Sequence, residues 1–287
     1  MTSIRTIAMT SVLSLVLAAC GGLSDDGNGT GGGGEIDHPT GANELVLRWE
    51  YQGGFVPWEY TLKRAPGWSL FGDGRIIVEG PMIEIYPGPA LPNLLVTRLS
   101  EDGVQAILRA AKAAGLMDGD ASYPYRCITD AATTVFTTNA GGSTSVVSAY
   151  ALGDAMGGSC PEVNVEARQE LFDFLSKLGD LSWLPEGSVG AEEPFTADEV
   201  RIHVLPYQGE PDLPQLPVDW PLVTALDAFG EAVQGGLAEA RCGVVSGADL
   251  DALWPLMQAA NDLTPWVSDG KEYRLILRPL LPDEHGC

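Results

Sequence analysis

Residues 96–116 read VTRLSEDGVQAILRAAKAAGL, and the hydrophobic period changes inside them. A strand pattern ends at Leu99. From there Val104, Ile107, Leu108 and Ala111 fall at i, i+3, i+4 and i+7, the apolar stripe of a helix. Ser100 is placed to cap that helix, Glu101 and Asp102 complement its N-terminal dipole, and Gly115 supplies the stop. Strand patterns lie on both sides. Upstream, ELVLRWEY (44–51) alternates, with Leu45, Leu47, Trp49 and Tyr51 on one face. EYTLKR (59–64) and MIEIY (82–86) read as further strands. WSLFGDGRIIVEG (68–80) reads as two strands joined at Gly72-Asp73-Gly74, because Asp and Gly tolerate the positive φ of tight hairpins. Downstream, TTVFTTNAGGSTSVVSAYAL (133–152) is a hairpin about Ala140-Gly141-Gly142. VEARQELFDFLSKLG (165–179) is a second helix with Leu171, Phe174, Leu175 and Leu178 inward.

The C-terminal part repeats the order strand, helix, hairpin. EVRIHVLPY (199–207) places Val200, Ile202 and Val204 on one face and Arg201 and His203 on the other. DWPLVTALDAFG (219–230) reads as a short helix, and QGEPDLPQLP before it as a Pro-rich connection. In SGADLDALWPLMQAAND (246–262), Ser246 with Asp249 is placed for a capping box, and Pro255 is expected to kink or restart the helix. TPWVSDGKEYRLILRPL (264–280) turns at Asp269-Gly270. Hairpins with helices on one face predict an α+β fold with antiparallel sheets. The shared order of the two halves suggests a degenerate duplicated strand-helix-hairpin unit. The predicted organisation is a leader over 1–19, a Gly-rich flexible tether over 20–43, an α+β domain over 44–190 and a second α+β unit over 191–287.

The N-terminus has one basic residue, Arg5, then an apolar run from Ile7 to Leu17, then small residues before Cys20. That is the layout of an export signal, and the run is too short to span a bilayer core of about 30 Å. Leu17-Ala18-Ala19-Cys20 resembles the lipobox of bacterial lipoproteins. The resemblance implies cleavage before Cys20 and a diacylglycerol on its thiol, so the expected partner is a membrane, reached through that lipid anchor. Gly21 to Gly34 holds eight glycines in fourteen positions. Such a segment buries too little apolar area to offset its ordering entropy, which suits a tether. The words YTLKRAPGWSLFGDGRIIVEG and TTVFTTNAGGSTSVVSAY resemble an uncharacterised group of bacterial envelope lipoproteins. That likeness implies a fold and no activity.

The chain of 287 residues carries a formal net charge of −23. Phosphate backbones would be repelled, which argues against nucleic acid as a partner. Besides Cys20 there are four cysteines, Cys127, Cys160, Cys242 and Cys287. An even count in an exported chain predicts two disulfides. Three pairings are possible. Cys127–Cys160 with Cys242–Cys287 is favoured because each would staple one half of the chain.

Catalytic signals are weak. Of the histidines, His38 falls in the tether, His285 near the end, and His203 in a strand, where a polar-face position predicts solvation. No nucleophile elbow of the G-x-S-x-G type is present. Glu59, Asp73 and Glu79 lie near aromatics, the setting of a glycan hydrolase, but spacing alone selects no pair. Asp25-Asp26 and Asp118-Gly119-Asp120 lack a metal-loop pattern, and the second reads as a turn. No metal or cofactor is expected. Seven aromatics crowd into residues 49–71. Most should be core, but Trp58 and Trp68 adjoin Pro57 and Pro66-Gly67 in expected turns. They are the candidates for exposed ligand contacts. The expectation is a lipid-anchored, non-catalytic binding or interaction module for an envelope protein or glycan. An envelope hydrolase acting on glycan or peptide is the alternative, and a structural surface lipoprotein the third reading.

Overall fold

The computed structural model describes residues 34–153, 160–161, 163–233 and 240–287. Its first sheet is built from β1 (Leu45–Gly53), β2 (Trp68–Phe71), β3 (Arg75–Glu79), β4 (Leu94–Leu99), β5 (Ala121–Tyr123), β6 (Ala132–Ala140), β7 (Ser143–Tyr150) and β8 (Val189–Pro194). Their order across the sheet is β5-β7-β6-β1-β2-β3-β4-β8, antiparallel except for the parallel β5–β7 pair. The second sheet uses β9 (Glu199–Pro206), β10 (Val218–Asp219), β11 (Glu231–Ala232), β12 (Arg241–Ser246), β13 (Pro265–Ser268) and β14 (Lys271–Pro279). Its order is β10-β13-β14-β9-β12-β11, again antiparallel but for the β10–β13 pair. The helices are α1 (Trp58–Lys63), α2 (Glu101–Ala113), α3 (Val165–Gly179) and α4 (Gly247–Ala259). The fold is α+β.

α2 and α3 cover one face of the first sheet. Val104, Ile107, Leu108, Leu171 and Phe174 pack there on Leu47, Leu70, Ile76, Phe136 and Val147. Each such side chain, fully buried, contributes about 1.5–3 kcal/mol. The stop of α2 is built as its sequence implies. Gly115 takes φ +75°, the Leu116 amide donates to Ala111 O and the Gly115 amide to Lys112 O, while Leu116 itself is buried in the core. Those are the two reverse bonds of a Schellman stop. α4 covers the second sheet in the same way, with Leu250, Leu253 and Met257 against Val200, Ile202, Val204, Leu275 and Leu277. It runs unbroken through Pro255.

The other faces of the two sheets meet through a thin layer. Leu281, just past β14, packs with Phe71, Ile77 and Leu94 of the first sheet. Leu62 of α1 packs with Leu205 and Ile276 of the second. Arg48 of β1 donates to Asp283 at 2.7 Å, and the Ala90 amide donates to Ala260 O at 3.1 Å. Residues 35–287 accordingly form one compact unit. Residue 190 lies inside β8, which pairs with β4, so the first sheet extends four residues beyond the expected division. The halves share the order strand, helix, hairpin, yet they insert the hairpin in opposite senses. β6, the first hairpin strand, lies inward beside β1, whereas in the second sheet it is the later strand, β14, that lies inward beside β9.

Three local expectations are corrected. EYTLKR forms α1 rather than a strand. Pro57 holds φ −52° at its N-cap, Glu59 lies in its first turn and Lys63 in its last. Six residues are too few for a period of 2 to be told from one of 3.6. MIEIY is not a strand; it runs as an exposed connection between β3 and β4. Residues 219–230 hold the last residue of β10 and a single 3-10 turn, Leu226–Ala228, instead of a helix. The expected tether also ends early. The Ile36 amide donates to Gln105 Oε1 at 2.8 Å, and His38 Nε2 lies 3.0 Å from Glu101 Oε1, so the chain is docked on α2 from about that point. Among the described residues no helix is long and apolar enough to cross a membrane.

Candidate functional site: a cleft beside the first helix

α1 stands where the chain leaves β1 and before it enters β2, and it carries Trp58 and Glu59 to the C-terminal end of β9, an interior strand of the second sheet. There β9 ends in Leu205-Pro206 and continues into Tyr207 and Glu210, while Arg274 projects from β14 beside them. These residues line a cleft of about 330 Å³. A second opening of about 320 Å³ shares Glu59 and Arg274 and adds Tyr60, Lys63 and Asp262. Glu59 Oε1 and Arg274 Nη1 are 3.8 Å apart, a loose pair. Arg274 Nε also donates to Asp262 O at 3.3 Å. Lys63 is held more firmly, donating to Asp262 Oδ1 at 2.7 Å and Pro89 O at 2.6 Å. The cleft therefore mixes aromatic and aliphatic side chains, Trp58, Tyr207, Leu205 and Leu263, with polar ones, of which Glu59, Glu210 and Arg274 carry charge. This mixture of ring faces and a few convergent polar groups is the usual make-up of a ligand pocket.

Of the two tryptophans singled out from the sequence, the structure brings one to this site. Trp58 is 38% exposed at the cleft wall. Trp68 is corrected: it is 2% exposed, because β2 is an interior strand with Trp68 paired to Trp49 on one side and Val78 on the other. A Pro-Gly pair can precede a central strand as readily as a turn. Tyr207, Glu210 and Arg274 were not legible as partners of Trp58, since they are distant in sequence, the first two in the connection after β9 and the third within β14.

The remaining candidates are dispersed. Cys20, Asp25 and Asp26 lie outside the described residues. Cys127 is bonded to Cys160 and Cys242 to Cys287, with Cα separations of 5.9 and 6.0 Å. Asp73 is held in the β2–β3 turn by Arg75 and Arg98, at the opposite end of β3 from Glu79. Asp118-Gly119-Asp120 is a turn, and Asp120 Oδ1 accepts from the Val146 amide. Among the described residues no group of three or more His, Cys, Asp and Glu could hold a metal ion.

His203 is buried rather than solvated. The segment after β14 folds back over its face of the sheet, where Glu284 pairs with Arg278, Gly286 O accepts from Arg201 Nε, and Cys287 is bonded to Cys242. Burial, reinforced by Arg201 and Arg278, lowers its pKa to about 4. Its Nδ1 has no hydrogen-bond partner among the described residues, so no carboxylate orients it as a triad would require. His38 behaves oppositely. Burial disfavours its charge, but hydrogen bonds to Glu101 and Pro39 O outweigh this and its pKa is raised. Comparison with models of known families, with curated proteins and with solved structures finds no match for the chain.

Proposed function

We propose that this is an exported protein of the bacterial cell envelope, held to a membrane by a lipid on Cys20, whose folded part is a non-catalytic binding module with its site at the Trp58 cleft. The order Leu17-Ala18-Ala19-Cys20 supports the anchor. Two cysteine pairs support export, because disulfides persist in oxidising compartments. The observation that carries the binding reading is the gathering of Trp58, Tyr207, Glu59 and Arg274 around one opening at the junction of the two sheets. Tryptophan, tyrosine and arginine are the residue types enriched among those that dominate recognition energy.

The test is photo-cross-linking in cells with a reactive group at Tyr207. A reproducible adduct, envelope protein or glycan, that disappears with Trp58→Ala supports the reading. Adducts indifferent to Trp58→Ala, or none, overturn it in favour of a structural surface lipoprotein. A second reading, hydrolysis of glycan or peptide, is favoured by Glu59 and Glu210 lining the same cleft. Turnover of cell-wall material that is lost in Glu59→Gln would establish it. For the anchor, Cys20→Ala is expected to abolish acylation and membrane retention; normal retention of that variant would refute it.

A further inference from the structure

We infer that the apolar rim around α1 docks a cationic protein surface bearing apolar anchors, presented away from the end of the molecule that the lipid tether enters.

Large apolar side chains cluster at one end of the first sheet. Phe55, 90% exposed, precedes α1, and Trp58 and Tyr60 lie on it. Beyond β3, Ile83 and Tyr86 are each 68% exposed and Ile85 is 56% exposed. The segment after β3 is tied to α1 by Lys63 at the helix's C-terminal end, which donates to Pro89 O three residues past Tyr86; within the first group Arg64 donates to Tyr51 O and lies 4.8 Å from the Tyr60 ring centre. Apolar side chains concentrated this way on a folded surface mark an interaction site.

The strand register fixes where that rim points. Gly53 pairs with Ala132 and Glu79 with Leu94, so the end of β1, the end of β3 and the start of β4 share an edge of the molecule. The incoming chain docks at the other edge. The Gly141 amide in the β6–β7 turn donates to Asp37 O, and the Gly72 backbone at the β2–β3 turn lies against Pro39 and Gly41. The nine residues of β1 separate the two edges by about 30 Å at roughly 3.3 Å per residue.

Three occupants are disfavoured. The chain's own segments outside the described residues of the mature protein, 20–33, 154–159, 162 and 234–239, offer only Leu23, Met156 and Leu237 as large apolar groups. A second copy would bring another charge of −23 against the first, and an anionic bilayer would be repelled for the same reason. A basic surface is attracted. Glu50, Glu79 and Glu84 adjoin the rim and form no salt bridge among the described residues; of the nearby cations Lys63 is engaged by Asp262, and Arg64, which with Lys63 faces Glu79, offsets one of the three acids, so the border stays acidic. Apolar anchors would supply the affinity, and the acidic border would supply steering and selection.

The inference rests on the binding-module reading and names the partner's chemistry. Its test uses the mature chain, residues 20–287, with Cys20→Ser and no lipid. Three synthetic peptides serve as probes: an amphipathic leucine–lysine helix, its leucine–glutamate counterpart, and a serine–lysine peptide of equal charge. The leucine–lysine peptide is expected to bind at least about tenfold more tightly than either control, with hydrogen-exchange protection confined to residues 51–60 and 82–86. Phe55→Ser combined with Ile83→Ser should weaken it about tenfold with the melting temperature unchanged. Glu84→Lys, which leaves the apolar groups in place, should weaken it and reduce its salt dependence. Equal binding of the serine–lysine peptide, protection elsewhere, or rim-dependent binding to neutral or anionic vesicles would each overturn the inference. If Trp58-dependent cross-links persist while the peptide preference fails, the partner class falls and the binding module stands; if the cross-links are absent, the module itself falls.

Discussion

At His203 the imidazole is held neutral by burial and by the neighbouring Arg201 and Arg278, with a pKa of about 4 against an ordinary value of 6.5. A base whose pKa is depressed on folding takes up a proton more readily when unfolded. Its contribution is therefore complete above pH 6.5 and is lost as pH falls through that value toward 4. Between pH 7 and pH 5 the loss should be about 2 kcal/mol, read as a falling denaturation midpoint. His203→Asn should flatten that slope; an unchanged slope would show that another group is responsible. Gly67 offers a second test at this scale. Its Cα faces the Trp49 indole so closely that an added methyl group would overlap the ring. Gly67→Ala is expected to cost about 1–3 kcal/mol in urea denaturation, the range for overpacking a core, and no loss would mean that Trp49 moves aside.

Single elements show where chain pattern and contact agree or part. The two-residue turns were legible because their chemistry is local. Gly141 and Gly142 take φ of +62° and +78°, and Asp269 and Gly270 take +50° and +74°, as hairpins with right-handed twist require. α1 was not legible, because its register comes from Pro57 before it and from Leu62 packing on Leu205 and Ile276. The segment after β14 carries no periodic signal, yet it covers His203 and is tied down by Cys287. Replacing Cys242 and Cys287 together by Ser should destabilise the protein by about 2–4 kcal/mol, because the bond closes a loop with a sequence separation of 45. It should also quicken hydrogen exchange in β9 and β12 near His203. Equal exchange in the presence and absence of the bond would show that the ion pairs alone hold the segment.

Across the whole molecule, the two sheets depend on one another. The first sheet's second face is completed by Leu281, which is contributed from beyond β14. Leu281→Ala should cost about 2–5 kcal/mol, and the unfolding transition should stay single because both sheets share that layer. A chain ending at residue 190 would lose Leu281, Phe195 and most of β8. It is expected to aggregate rather than fold, and a monomeric, cooperatively melting fragment would show that the first sheet stands alone. The same layered arrangement creates the cleft, since Trp58 comes from the first half of the chain and Tyr207 and Arg274 from the second.

The α+β class, both long helices of the first half, the hairpin turns and the presence of two disulfides were readable from periodicity, turn chemistry and cysteine count, all properties of neighbouring residues or of the chain as a list; of the three possible cysteine pairings, the favoured one, within each half, is the one formed. Tertiary structure alone decided that Trp68 is core and Trp58 is surface, that His203 is buried beneath the C-terminal segment, and that EYTLKR coils into a helix. Those outcomes depend on which strands become interior and on what crosses over them, and such pairings are made between residues that carry no mark of one another in the sequence.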